Sequence, residues 1–325
     1  MYQLPHQEFS GNGEGGIIYA DWVELNILTQ KMDSLSLSDV IASIAKNPLD
    51  NSESSEHRLD SEDSAGYWQS AEDTAESAFS EIKQRICWYG DRYPLRSERD
   101  LITASPSYDS NTVAKFLILL RSRHFYQCAL GDDGNMAGQL FEELLPHILK
   151  CLLGINCDTA IRFGVAGGSR GNGLPNDTND ALTELSRKMN LSRGNLSNIR
   201  KDADLGADSI AWKPLGDSLC GKLITIGQAT ISEGEWIHKD PSPKWGNGRL
   251  FSSMLKPTIV ASFVESISLT KNSQLNGLLS TKPKILLDRF RILFILKDTD
   301  IPSDLLNRMD EWSETMLHRI YQYEN

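Results

Sequence analysis

Within residues 205–239, LGADSIAWKPLGDSLCGKLITIGQATISEGEWIHK, an aspartate (Asp208), a glutamine (Gln228) and a lysine (Lys239) stand on or beside two apolar runs. A carboxylate and an amide oxygen held side by side suit Mg2+, or Mn2+ in its place, because hard cations prefer oxygen ligands. A metal of this kind activates a water and neutralises charge on a phosphate under attack. A nearby ammonium steadies the negative charge that develops. The chemistry these residues suggest is phosphodiester hydrolysis.

Two strands must position them. DSIAWKPL and KLITIGQAT are rich in β-formers and are joined by the turn-rich GDSLCG, which is the pattern of a hairpin. Side chains alternate along a strand, so Asp208, Ile210 and Trp212 share one face, as do Lys222, Ile224, Ile226 and Gln228 on the next. A hairpin centred on residue 218 sets Asp208 across from Gln228, both pointing the same way. A slip of one residue separates them.

The run Gly206, Asp208, strand, turn, strand, Gln228, preceded by a helix bearing LFEELL, resembles the PD-(D/E)XK superfamily of restriction-type nucleases, in particular its Mrr-like members. The resemblance spans roughly residues 136–240. It implies an α/β fold, with a restriction-endonuclease-like core whose central mixed sheet is flanked by helices. It also implies three metal-holding residues: an acid on the leading helix, Glu142, then Asp208 and Gln228. The family's lysine falls where this chain has Thr230. Lys239 is the first substitute, Lys222 the second and Lys213 the third. The expected activity is a Mg2+- or Mn2+-dependent DNA endonuclease, the effector of a multi-subunit prokaryotic defence or restriction system. Thr230 also supports an alternative, a catalytically inactive scaffold of the same fold that docks a partner such as an ATPase. The sequence leaves DNA against RNA, the partner and any homo-oligomer open.

Composition sets bounds on this expectation. A 325-residue chain with 40% hydrophobic and 24% charged residues reads as a soluble globular protein with room for one large core or two smaller ones. No apolar run has membrane-spanning length, and the first residues lack a secretory pattern, so the expected compartment is the cytoplasm with no membrane partner. The net charge of −11 opposes broad binding to phosphates, because that affinity grows with the number of cations displacing counterions. Contact with DNA then needs a local basic surface or a partner subunit. RKMNLSRGNLSNIRK, residues 187–201, is such a surface, with Arg193, Arg200 and Lys201 as contacts. The segment holding Trp236, His238, Lys239, Lys244, Trp245 and Arg249 mixes aromatics with cations as base stacking and phosphate contact require. In it Lys244 and Arg249 are the expected contacts, and Trp236 reads as an anchor to the core.

Other chemistries lack their patterns. The run FGVAGGSRGNGLP has neither the lysine of a phosphate-binding P-loop nor GxGxxG, so it reads as a loop, with Arg170 as a further candidate for backbone contact. The six histidines show no HExxH spacing, and no GxSxG is present. Five cysteines without a CxxC pair indicate free thiols, small core residues rather than nucleophiles.

Residues 1–130 read as a mostly helical region. Its helices fall in 20–47, as two short ones, then 71–90 and 111–125, with a mobile acidic linker at 51–68. Residues 131–325 read as the nuclease-like core, opening on a helix closed by Gly154 and ending on one begun by Ser303. In that last helix Leu305, Met309, Trp312, Met316 and Ile320 share a face. KILLDRFRILFILKD reads as a central strand because it is so apolar.

Overall fold

The computed structural model describes residues 15–29, 31–46, 63–106, 111–126, 132–155, 159–165, 169–171, 173–194, 205–217, 222–232, 235–245, 250–251, 257–264 and 284–323. They fall into two units, one of Met1–Ala129 with Met309–Asn325, the other of Leu130–Arg308. Among the described residues no helix is long and apolar enough to cross a membrane.

In the first unit, α1 (Gly15–Leu28) is buried on all sides from Ile18 onward, which explains why its apolar residues follow no single stripe. It meets α3 (Asp63–Tyr89) at Gly16, where an added Cβ would stand only 2.1 Å from Ser77 Oγ. Between them come β1 (Ser34–Ser36) and α2 (Leu37–Lys46). The expected linker is therefore shorter than 51–68: residues 63–68 already belong to α3, and the remainder lies outside the described residues. Gly90 ends α3 at φ +52°, the left-handed backbone glycine tolerates. The sequence reading missed a short hairpin, β2 (Leu95–Glu98) and β3 (Leu101–Ala104), which forms an antiparallel sheet of order β1-β3-β2. α4 (Thr112–Tyr126) follows.

α1 carries Asp21 and Glu24 into this core, and both are 0% exposed. Arg85 on α3 donates to Asp21 at 2.9 Å, to Glu24 at 2.8 Å and to Glu81 at 2.9 Å. Arg121 on α4 takes the other oxygen of Asp21 at 3.0 Å, and the Tyr93 hydroxyl donates to Glu24. Burying carboxylates is tolerable only when cations and donors surround them in this way.

The second unit opens on α5 (Asp132–Leu153), closed by Gly154 at φ +58°. β4 (Ala160–Arg162), α6 (Thr178–Met189), β5 (Ser209–Lys213) and β6 (Leu223–Thr230) come next, then the short α7 (Ser242–Trp245). β7 (Thr258–Phe263), β8 (Ile285–Leu287), α8 (Arg289–Ile295) and the start of α9 (Ser303–Tyr323) complete it. The strands form one mixed sheet of order β4-β5-β6-β7-β8, antiparallel from β4 to β6 and parallel from β6 to β8. The chain is thus α/β with a five-stranded mixed sheet.

Two expectations are corrected here. The run KILLDRFRILFILKD is not a central strand: β8 lasts three residues at the sheet edge, and Asp288 then caps α8 by accepting the Arg291 N–H at 2.9 Å. A short apolar run fits a buried helix as well as a strand, and the capping aspartate decides between them. The strand beside the centre is instead β7, TIVASF, which the sequence reading passed over. The second unit also ends at Arg308, short of 325, because α9 from Met309 onward belongs to the first unit. There Trp312 packs edge-on to Phe116 at 5.3 Å, and Lys115 pairs with Asp310 at 3.2 Å. The predicted apolar face of this helix is buried at all five positions.

Alternation assigns the sheet faces. Ile210, Trp212, Ile224 and Ile226 form one core cluster with Leu182, Leu185 and Met189 of α6. Gly227 faces the other way: a Cβ there would stand 3.0 Å from Leu149 Cδ1 and 3.1 Å from Leu145 Cδ2 of α5. α5 and α6 therefore cover opposite faces. Gly227→Ala overpacks the α5 face and is expected to cost about 1–3 kcal/mol. Calorimetry would read this as a melting point lowered by about 2–4 °C per kcal/mol, and an unchanged transition would contradict the packing.

Candidate active site at the β5–β6 hairpin

The hairpin register matches the one alternation demanded. Ser209 pairs with Gly227, Ile210 with Ile226 and Lys213 with Leu223, so the ladder centres on residue 218. Just before it, Leu205 and Gly206 both take positive φ, +60° and +71°, a turn that costs the leucine strain and suits the glycine. Asp208 N–H donates to Gly227 O at 3.0 Å, the residue Ser209 already faces, so two residues of one strand oppose one of the other. This is a β-bulge, which re-aims the side chain it carries. Asp208 is consequently no simple ladder partner of Gln228. Its Oδ2 runs along β6 and accepts the Ala229 N–H at 2.7 Å, while its backbone oxygen accepts from Phe163 and Gly164 at 2.8 and 3.0 Å.

Gln228 points to the α6 side, opposite to Gly227. It is 8% exposed, and its Oε1 has no hydrogen-bond partner among the described residues. An acceptor buried without a donor costs about 1–3 kcal/mol, so such an atom calls for an explanation. Above Gly206, a Cβ would lie 3.5 Å from Gln228 Nε2 and 3.8 Å from Lys244 Nζ, which brings amide and ammonium into one small space. Trp245 fixes that lysine. Its indole is 1% exposed, donates to Leu205 O at 3.1 Å and packs edge-on to Phe163 at 5.3 Å, so α7 is pinned to the turn leading into Asp208.

The lysines ranked from the sequence lie elsewhere. Lys239 sits 3.8 Å from Glu235, and its backbone oxygen, with those of Trp236 and Ile237, accepts from Lys284. Lys222 is buried and donates to Met189 O at 2.7 Å, and Lys213 donates to Leu153 O at 3.2 Å. Each of these two terminates a neighbouring helix. Thr230 is 7% exposed, and its Oγ accepts the Ser232 N–H at 3.3 Å. Glu142 belongs to α5, on the face away from Gln228, so the three expected metal residues do not gather on one face of the sheet. Helix packing decided this: Leu145 and Leu149 turn α5 toward Gly227.

The expected nucleic-acid contacts divide in the same way. Arg170 is 4% exposed, donates to Phe163 O, Asn176 O and the Thr178 hydroxyl, and lies over the Phe163 ring at 4.5 Å. It holds its loop together and does not face a ligand. Arg193 forms an isolated bridge with Phe251. Arg200, Lys201 and Arg249 lie outside the described residues. Trp236 stacks on Phe263 at 4.8 Å, an anchor as expected, and Trp245 is buried too. Of the cations named from the sequence, Lys244 is the exposed one that adjoins the hairpin site.

Among the described residues no group of three or more His, Cys, Asp or Glu side chains is assembled for a metal. Asp208 and Gln228 are still of the oxygen type a hard cation takes, and the orphaned Gln228 Oε1 is the atom that fits one. Glu142 lies on the other face of the sheet from Gln228. Nucleophilic chemistry at Cys151 is disfavoured: burial, then Asp300, pushes its thiol up to about 11. Iodoacetamide at neutral pH is expected to alkylate the exposed Cys87 well before Cys151, as peptide mass spectrometry would show; equal labelling would contradict this. Comparison of the chain with protein-family models, with curated proteins and with solved structures gives no match.

Proposed function

We propose that the second unit is a divalent-metal-dependent phosphodiesterase acting on DNA, with Asp208 and Gln228 as the oxygen ligands and Lys244 as the cation beside them. The observation that carries this reading is Gln228 Oε1, buried without a donor among the described residues next to the bulge that re-aims Asp208. A bound Mg2+ or Mn2+ would supply an activated water and charge neutralisation. Within the chain, Ala229 N–H holds one Asp208 oxygen in place, and Trp245 holds α7 so that Lys244 meets the negative charge growing on the phosphate. Lys244 replaces Lys239 in that role. The chain's net charge of −11 opposes a strong unaided grip on DNA, so a partner subunit supplies it. The prokaryotic defence setting rests on the sequence resemblance alone.

The test is cleavage of supercoiled plasmid, with labelled RNA in parallel, by the chain together with its genomic neighbours in Mg2+ or Mn2+. Lys244→Ala is expected to lower the rate about 10²–10³-fold, and Lys239→Ala to leave it unchanged. The reverse pattern would remove Lys244 from the site.

Two observations favour a second reading, the noncatalytic scaffold. Thr230 stands buried where the family's lysine is expected, and Glu142 lies on the other face of the sheet. On that reading the intact assembly cleaves neither nucleic acid, while the chain still binds its partner.

A further inference from the structure

A separate cleft of about 360 Å³ opens at the β4 edge of the second unit. One side of α5 provides Glu143, His147 and Lys150, β4 provides Arg162, and the start of α9 provides Asp304 and Arg308. Every one of these residues lies in the second unit. The cleft has two chemically different ends. At one end Glu143 is held in a fork: Arg162 Nη1 donates to its Oε1 at 3.1 Å, and Arg308 donates to both oxygens. Arg308 Nε also stands 3.4 Å from Asp304. The two carboxylates there balance the two guanidinium groups, so this end offers acceptors to a neutral ligand group that carries donors. At the other end Lys150 makes no hydrogen bond or ion pair among the described residues. Seven residues of helix separate Glu143 from Lys150, a rise of about 10 Å, with His147 between them.

We propose that this cleft binds a small organic phosphate ester, its phosphate at Lys150 and a body bearing hydroxyl or amino groups at Glu143 and Asp304. Lys150, without an ion pair among the described residues, selects an anionic head, with the Asp300 carboxylate acting on the adjoining His147 and Cys151. The paired end selects hydrogen-bond donors, because an anion placed there meets Glu143 and Asp304. The volume lies at the small end of the range for ligand sites, about 300–1,000 Å³. That admits a sugar phosphate and leaves no room for duplex DNA. The proposal is independent of the hairpin site, since none of its residues belongs to that site.

Titration calorimetry on the full chain tests it with three probes: ribose 5-phosphate, ribose and inorganic phosphate. Ribose 5-phosphate is expected to bind saturably and at least about tenfold more tightly than either fragment, a gap of about 1.4 kcal/mol. Lys150→Gln and Lys150→Glu should each weaken it by about tenfold or more, while Lys188→Glu, on α6 outside the cleft, leaves it unchanged. Glu143→Gln should reduce the preference for the ester over free phosphate. The proposal is overturned if no probe saturates, if inorganic phosphate binds as tightly as the ester, or if Lys150→Gln binds like the parent with an unaltered far-ultraviolet circular dichroism spectrum.

Discussion

Arg85→Ala is expected to cost the first unit about 3–5 kcal/mol, enough to unfold it in a marginally stable chain. Arg85 is 1% exposed and serves three carboxylates at once, Asp21, Glu24 and Glu81. Burial pulls its pKa down, but Asp21 and Glu24, then Tyr93 and Glu81, hold it above the ordinary guanidinium value, so it stays charged. Removing it takes from Asp21, Glu24 and Glu81 the cation they share and leaves Arg121 on Asp21 and the Tyr93 hydroxyl on Glu24. Arg85→Lys is a poor rescue, because one ammonium cannot reproduce donation from both Nε and Nη1. Arg96→Ala is the contrast. Its ion pair with Glu98, at 3.7 Å, is exposed, and the loss should stay under about 1 kcal/mol. Hydrogen exchange at the α1 amides separates this unit from the other: Arg85→Ala should bring their protection down sharply, and retained protection would mean the buried network contributes little.

The parts of the fold legible in the sequence were those fixed by local pattern. Alternation and the turn-rich GDSLCG carried the β5–β6 hairpin and its register. Gly90 and Gly154 marked helix ends, and the spacing of Leu305 through Ile320 marked the buried face of α9. What escaped depended on contacts between distant residues. The bulge at Asp208 arises from one extra hydrogen bond to Gly227, and no composition cue announces it. Assigning Glu142 to the site required knowing which way Leu145 and Leu149 turn α5. Lys244 stands 36 residues beyond Asp208 and is brought to the turn before it because Trp245 binds Leu205 O, although the aromatic and basic run around it was visible as a signal. The cleft at β4 draws its cations from three separate elements, which no local pattern joins.

Asp208 is where the proposed activity stands or fails. Asp208→Asn keeps an oxygen able to accept the Ala229 N–H and so preserves the hairpin, but it removes the negative charge a cation requires. Asp208→Ala removes charge and acceptor together and should also loosen the start of β5. If a metal is held as proposed by Asp208 and Gln228, loss of the charged ligand is expected to lower cleavage by at least about a thousandfold. The direct measurement is the rate of Mg2+- or Mn2+-dependent plasmid cleavage by the chain with its genomic neighbours, compared between the parent and Asp208→Asn at equal far-ultraviolet circular dichroism. The account predicts cleavage by the parent and none detectable from Asp208→Asn; cleavage at the parental rate by Asp208→Asn would contradict it.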